Sequence, residues 1–427
     1  MVVISSRRKR VRGKKSRSLS SARKSRDHIR SRKKKKRLTG RRSRQTSRRV
    51  LKRKLKLKPT AALRRKKSIK KRRLRRLSAR RVPHLPSVRR TFNIAATSDE
   101  LVVCSVTSAS NLHRAKVMAR SVKRFEPNAK IVICLVEESM HPQTYTPYVD
   151  HWTLAKDLNI PNFHRNMFKY NINEGTTSMK AATVKYAMNL YPQHSLFLYL
   201  DTDMRVYYPF TELKELMKQQ PIWLTPHILN QSRHLDSYLH HGIFNSGILG
   251  LTRSEQTYEF LEWWDRKLYE ACYFDDKLFA DQGWLDFAPL YFDAQILRHP
   301  GYNMAAWNVG ETGRDITHSD NGYYYIYDKP LVVFHYSGLH WGNLQNNMKR
   351  VYPDGNNLLY GMLDSYFAEL DEMGKDAVSS IPWSYDRYYS GETIKQEIKD
   401  RFKQNPDAIA NIGNPFQLSN EFFKNRA

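Results

Sequence analysis

Five short apolar runs, each giving way to polar or charged residues, constrain the fold of this chain more than any other feature. They are LVVCSVT (101–107), IVICLV (131–136), SLFLYL (195–200), GIFNSGILGL (242–251) and LVVFHYSG (331–338). Runs this short and this uniformly apolar suit strands covered on both faces. Between the first two, Met118, Val122 and Phe125 recur four and three residues apart, on one face of a helix. Strand, helix and strand in that order predict a βαβ unit, with parallel pairing and a right-handed crossover. The alternation recurs: Met179, Ala182, Tyr186 and Leu190 share a helical face, Tyr191-Pro192 stops it, and SLFLYL follows. Thr252 and Glu255 read as a capping box for a helix that carries Leu261, Trp264 and Leu268. The expected class is α/β, a mixed and mostly parallel sheet flanked by helices.

Composition divides the chain in two. Residues 1–90 hold 42 of the 74 Lys and Arg, one acid (Asp27) and no Phe, Trp or Tyr. The rest carries 32 basic residues against 39 acids, and all the aromatics. Such a tail cannot bury enough apolar surface to offset the entropy of ordering it, so 1–90 is expected to be disordered and 91–427 to form one large domain. Runs such as RKKKKR (32–37) suit nuclear import or non-specific, salt-sensitive contact with nucleic acid or anionic membrane. No stretch reaches the roughly 18 apolar residues of a membrane span, and no secretory signal opens the chain. Cys104, Cys134 and Cys272 are odd in number and read as reduced core thiols. Together these predict a soluble intracellular protein, cytoplasmic or nuclear.

The strand SLFLYL runs directly into Asp201-Thr202-Asp203. In open α/β sheets ligands bind outside the carboxyl ends of strands, where these two acids would emerge. Paired carboxylates repel one another, and a divalent cation with oxygen ligands is the economical partner, its shell completed by substrate phosphates. Asp-x-Asp alone is a weak signal, since a solvated turn after a strand reads the same way. His335 at the end of LVVFHYSG, followed by Gly338, adds an imidazole and a backbone open to phosphate at a second strand end.

The segments LFLYLDTDMRVYYPF, FNSGILGL, DQGWLDFAP (281–289), PGYNMAAWN (300–308) and HYSG (335–338) occur in an order that resembles GT-A nucleotide-diphospho-sugar glycosyltransferases. The likeness is to family 8 and, more closely, to related bacterial glycosyltransferase domains, and it spans about residues 98–420. It implies a GT-A, Rossmann-like fold. It also implies that Asp201, Asp203 and His335 bind Mn²⁺ or Mg²⁺ against the donor diphosphate. Ser337 and Gly338 would then face phosphate, Thr107, Ser108 and Ala109 would seat the base and ribose, and Asn245 and Ser246 would bind the sugar. Asp281 and Gln282 would lie beside the reacting carbon. Family 8 continues after its glycine with Lys-Pro-Trp, whereas this chain reads LHWG; His340 or Lys180 would have to supply the positive charge. Trp284, Tyr302, Trp307 and Trp341 are candidates to stack on sugars.

The implied activity is metal-dependent transfer of a sugar from a nucleotide-diphosphate donor, UDP-sugar foremost, to a glycan or protein hydroxyl, with retention. The alternative is a nucleic-acid-associated or structural protein whose domain only binds. Loss of residues 1–90 separates them, since an enzyme keeps its turnover without the tail.

Overall fold

A computed structural model of the chain describes residues 97–230, 240–275, 278–339, 342–355 and 357–424. The basic tail, its boundary with the domain, His340 and Trp341 lie outside these residues. The described strands are β1 Ser98–Thr107, β2 Lys130–Leu135, β3 His151–Leu154, β4 His194–Leu200, β5 Met204–Val206, β6 Ile222–Pro226 and β7 Phe244–Thr252. They continue as β8 Ala294–Ile296, β9 Met304–Ala305, β10 His318–Asp320, β11 Tyr323–Ile326, β12 Lys329–Pro330 and β13 Val333–His335.

The main sheet has the order β3-β2-β1-β4-β7-β6-β8. β3, β2, β1 and β4 are mutually parallel, β7 runs antiparallel to both its neighbours, and β6 pairs parallel with β8. The mixed, mostly parallel sheet is therefore as the apolar runs predict. Its double-sided burial is visible within β1 alone. Val102, Cys104 and Val106 enter one core with the helices Lys180–Leu190 and Glu255–Glu270, while Leu101 and Val103 enter another with Leu112–Phe125 and Thr211–Gln219. Alternate side chains of a strand point to opposite faces, so an apolar run with no polar interruption needs cover on both.

Two small sheets are added, β10-β11-β12 and β5-β13-β9. The second packs on a third core with the helices Asn343–Val351 and Leu358–Glu372, through Phe334, Tyr336, Met348 and Tyr366. The C-terminal segment returns to the main core, where Trp383, Tyr385, Phe402, Phe416 and Phe423 are buried. Trp383 Nε1 donates to the Val136 carbonyl at 2.8 Å, tying that segment to the end of β2.

One sequence expectation is corrected. The helix Glu255–Glu270 is capped by Ser254, whose hydroxyl accepts from Thr257 N at 3.1 Å, and no Thr252–Glu255 box forms. Thr252 is the last residue of β7, and its hydroxyl donates to the Met217 carbonyl. The cysteines are free and buried, as core thiols are. Among the described residues no helix is long and apolar enough to cross a membrane.

Candidate functional site

The two acids stand where one sheet hands the chain to another. Asp201 N donates to the Gly247 carbonyl at 2.9 Å, which extends the β4–β7 pairing by one residue and fixes Asp201 to the main sheet. After Thr202 the chain enters β5, which pairs antiparallel with β13 so that Met204 faces His335. Tyr336 N donates to the Asp203 carbonyl at 2.8 Å, fixing Asp203 to the small sheet. A spacer of one residue is thus what places a carboxylate from each sheet at the same junction.

His335 Nε2 lies 3.0 Å from Asp203 Oδ1. Its other nitrogen, Nδ1, is 3.2 Å from Asn303 Oδ1, and the Trp307 ring meets the imidazole edge-on at 5.2 Å. The Asn303 contact holds the ring so that Nε2 faces the acids. One ligand atom each from Asp201, Asp203 and His335 lie within 4.8 Å of one another. Two carboxylate oxygens and an imidazole nitrogen suit Mn²⁺ or Mg²⁺, with room for phosphate oxygens and water.

Lys180, buried on the first turn of its helix, bridges two acids. Its Nζ is 3.0 Å from Asp201 Oδ1, 2.9 Å from Asp281 Oδ2 and 3.0 Å from Ser246 Oγ. Burial works to strip its proton, but the charges of Asp201 and Asp281 outweigh it and hold the ammonium above its ordinary range. Burial raises the Asp201 carboxyl, against the pull of Lys180 and His335. Burial also acts upward on Asp203, yet the charge and hydrogen bond of His335, with Arg114, hold that carboxyl well below the usual range.

These groups line a cleft of about 920 Å³. Thr107, Ser108, Lys180, Asn245, Ser246, Asp281, Gln282, Ser337 and Gly338 all line it with the three candidate ligands. Ala109 does not; it is buried, and its N–H donates to Glu137 Oε1 at 2.9 Å. Gln282 is pinned at both ends of its amide, accepting from Asn245 Nδ2 at 3.2 Å and donating to the His241 carbonyl at 2.7 Å. Of the four candidate stacking aromatics, Trp307 lines the cleft. Tyr302 is buried, and Trp284 packs against the main core.

Four contributors escaped the sequence. Tyr199, which donates to Asp201 Oδ1 at 2.9 Å, sits two residues before it in β4, so the strand period carried the signal. Asn303, at φ +55, lies within the PGYN segment. Arg114 and His227 line the cleft from places that no local pattern marks.

No protein-family profile matches the chain. An uncharacterized protein of Bacillus subtilis (strain 168), YfnD, is 24% identical over 217 residues, covering 48% of this chain and 67% of that protein. Among solved structures, a galactosyltransferase LgtC in complex with donor and acceptor sugar analogs aligns with a TM-score of 0.37 at 16% identity, over 66% of this chain and 97% of that one. Mouse xyloside xylosyltransferase 1 aligns with a TM-score of 0.35 at 13% identity, over 56% and 98%. None of these values assigns the chain to a family.

Proposed function

We propose that this chain is a metal-dependent glycosyltransferase that moves a sugar from a nucleotide-diphosphate donor, a UDP-sugar foremost, to an acceptor hydroxyl with retention. The observation that carries this is the meeting of Asp201, Asp203 and His335 within 4.8 Å in a cleft that also presents Asp281 and Gln282. The sequence resemblance to GT-A enzymes supports the same conclusion.

Asp201, Asp203 and His335 would hold Mn²⁺ or Mg²⁺. When bound, that ion supplies Lewis-acid stabilisation to the departing diphosphate. Gly338, at φ +72, lets the backbone beside Ser337 approach phosphate without a side chain in the way. Asn245 and Ser246 bind the sugar hydroxyls, while the fixed amide of Gln282 and the carboxylate of Asp281 line the face on which positive charge develops. Lys180 pairs with Asp281 and Asp201 together and so holds the two carboxylates beside one another. An acceptor hydroxyl entering on the face of the departing phosphate yields a retained anomeric centre.

The test is hydrolysis of a panel of nucleotide sugars by the full chain with Mn²⁺, with and without EDTA, beside Asp203→Ala and His335→Ala. Turnover that depends on Mn²⁺ and disappears in both variants is the expected result. Equal turnover in either variant defeats the proposal.

A further inference from the structure

We infer that Glu137 is a positioning residue for the donor nucleotide: it fixes the loop after β1 at the cleft and ties that loop to the C-terminal segment. The inference rests on the function proposed above, in which Thr107, Ser108 and Ala109 seat the base and ribose.

Glu137 stands just beyond the end of β2 and is 4% exposed. Its two carboxylate oxygens serve two distant parts of the chain. Oε1 accepts from Ala109 N at 2.9 Å. Oε2 accepts from Ser384 N at 2.9 Å and from the Ser384 hydroxyl, 247 residues further along. Burial pushes the carboxyl upward, and the donors on Ser384 and Ala109 act against that push. Losing either side therefore leaves a desolvated acceptor without its donor, which is costly.

The Ala109 side leads to the cleft. Ser108 and Asn111 line it from the two sides of Ala109. Asn111 N donates to the Ser108 carbonyl at 3.1 Å, and Asn111 Nδ2 donates to Ser108 Oγ at 3.2 Å. The turn is closed on itself, and the Ala109 N–H carries a bond out of it to the neighbouring strand end.

The Ser384 side leads to the C-terminal segment, which grips three consecutive residues after β2. Trp383 Nε1 donates to the Val136 carbonyl, Ser384 to Glu137, and the Tyr389 hydroxyl to Glu138 Oε1 at 3.0 Å. Glu137 passes this grip on to the loop. The candidate metal ligands are fixed differently, through the β4–β7 and β5–β13 pairings. A disturbed Glu137 should thus loosen the hold on the nucleoside and spare the hold on the diphosphate.

The experiment is calorimetry on the full chain with Mn²⁺. It measures binding of UDP, GDP, ADP and CDP beside inorganic pyrophosphate, which can meet the cation but carries no nucleoside. Wild type, Glu137→Gln and Ser384→Ala are compared after their unfolding midpoints establish which are folded. A glutamine has one acceptor oxygen where the carboxylate has two, so it can serve the Ala109 or the Ser384 backbone and not both. Glu137→Gln is expected to bind the preferred nucleoside diphosphate ~10-fold or more weakly, the scale of a lost charge-assisted hydrogen bond, with pyrophosphate affinity at the wild-type value. Ser384→Ala removes one donor and no charge. It should weaken the same ligand by a smaller factor, and it decides the question where the glutamine variant does not fold. Two results overturn the inference while leaving the function standing. One is unchanged nucleoside diphosphate affinity in the folded variants. The other is an equal loss for pyrophosphate, which would make Glu137 a support for the whole domain. If wild type itself binds none of the four nucleoside diphosphates, the proposed function falls and this inference with it.

Discussion

Replacing Gly247 by alanine tests how tightly the site is built, because one methyl group there reaches three side chains at once. A Cβ at position 247 would lie 2.5 Å from Met204 Cε, 2.8 Å from Asn245 Oδ1 and 2.9 Å from Asp201 Oδ2. The methionine tip can swing away. The other two cannot do so freely: Asn245 Oδ1 accepts from Gly247 N at 3.1 Å, and the Asp201 carboxylate is held by Tyr199 and Lys180. The strain therefore falls on a candidate metal ligand and on a candidate sugar ligand. Overpacking of this kind costs about 1–3 kcal/mol of stability. A displaced ligand matters more, because metal sites tolerate shifts of only ~0.2 Å and disturbed support commonly lowers affinity by about 10–100-fold. Gly250, in the same strand, is a control away from the site. Its added Cβ would meet Leu213 and Met217 at 3.3 Å, with no contact to the site. Gly250→Ala should cost less stability than Gly247→Ala in urea unfolding, and Mn²⁺ affinity and turnover should fall only in Gly247→Ala. Wild-type Mn²⁺ affinity in Gly247→Ala, or an equal loss in Gly250→Ala, would refute this account of the junction.

Further outcomes are expected. Lys180→Met leaves the buried Asp281 and the partly buried Asp201 without their shared cation, so urea unfolding should show a loss of about 3 kcal/mol, far above that of an exposed lysine. Burial holds His113 and His227 neutral, each pushed down to about 4 from the ordinary value of 6.5. The unfolded chain therefore binds more protons between pH 6.5 and 4, and stability should fall on acidification through that window by up to about 1.4 kcal/mol per pH unit for each histidine. His113→Leu should flatten that slope; a slope unchanged from wild type would contradict it. If a divalent ion occupies the junction, Mn²⁺ should raise the unfolding midpoint of wild type and leave that of Asp203→Ala where it was.

The sheet was legible because its strands are long enough, and covered enough, to write their burial into the sequence as apolar runs. Asp201, Asp203 and His335 were legible for a related reason, since each interrupts such a run at the end where ligands bind. What brings them together was not. β5, β9 and β13 have three, two and three residues, too short for any periodicity, yet their pairing sets His335 against Asp203. The commitment of Lys180 to two acids depends on β4, β7 and a helix meeting in space, and no local pattern encodes it. Arg114 carries no local mark either, being one basic residue on a helix that holds several. The misplaced cap shows the limit from the other side. Thr252, Ser254 and Thr257 all carry hydroxyls, and the extra length of β7 decided which of them caps the helix.

The central claim is that Asp201, Asp203 and His335 grip one divalent cation. Anomalous scattering from crystals grown with Mn²⁺ and a nucleoside diphosphate measures this directly. A single manganese peak bonded to all three side chains, with diphosphate oxygens completing its shell, is the predicted result. Manganese bound elsewhere, or a diphosphate seated with no ion between it and Asp203, would contradict it.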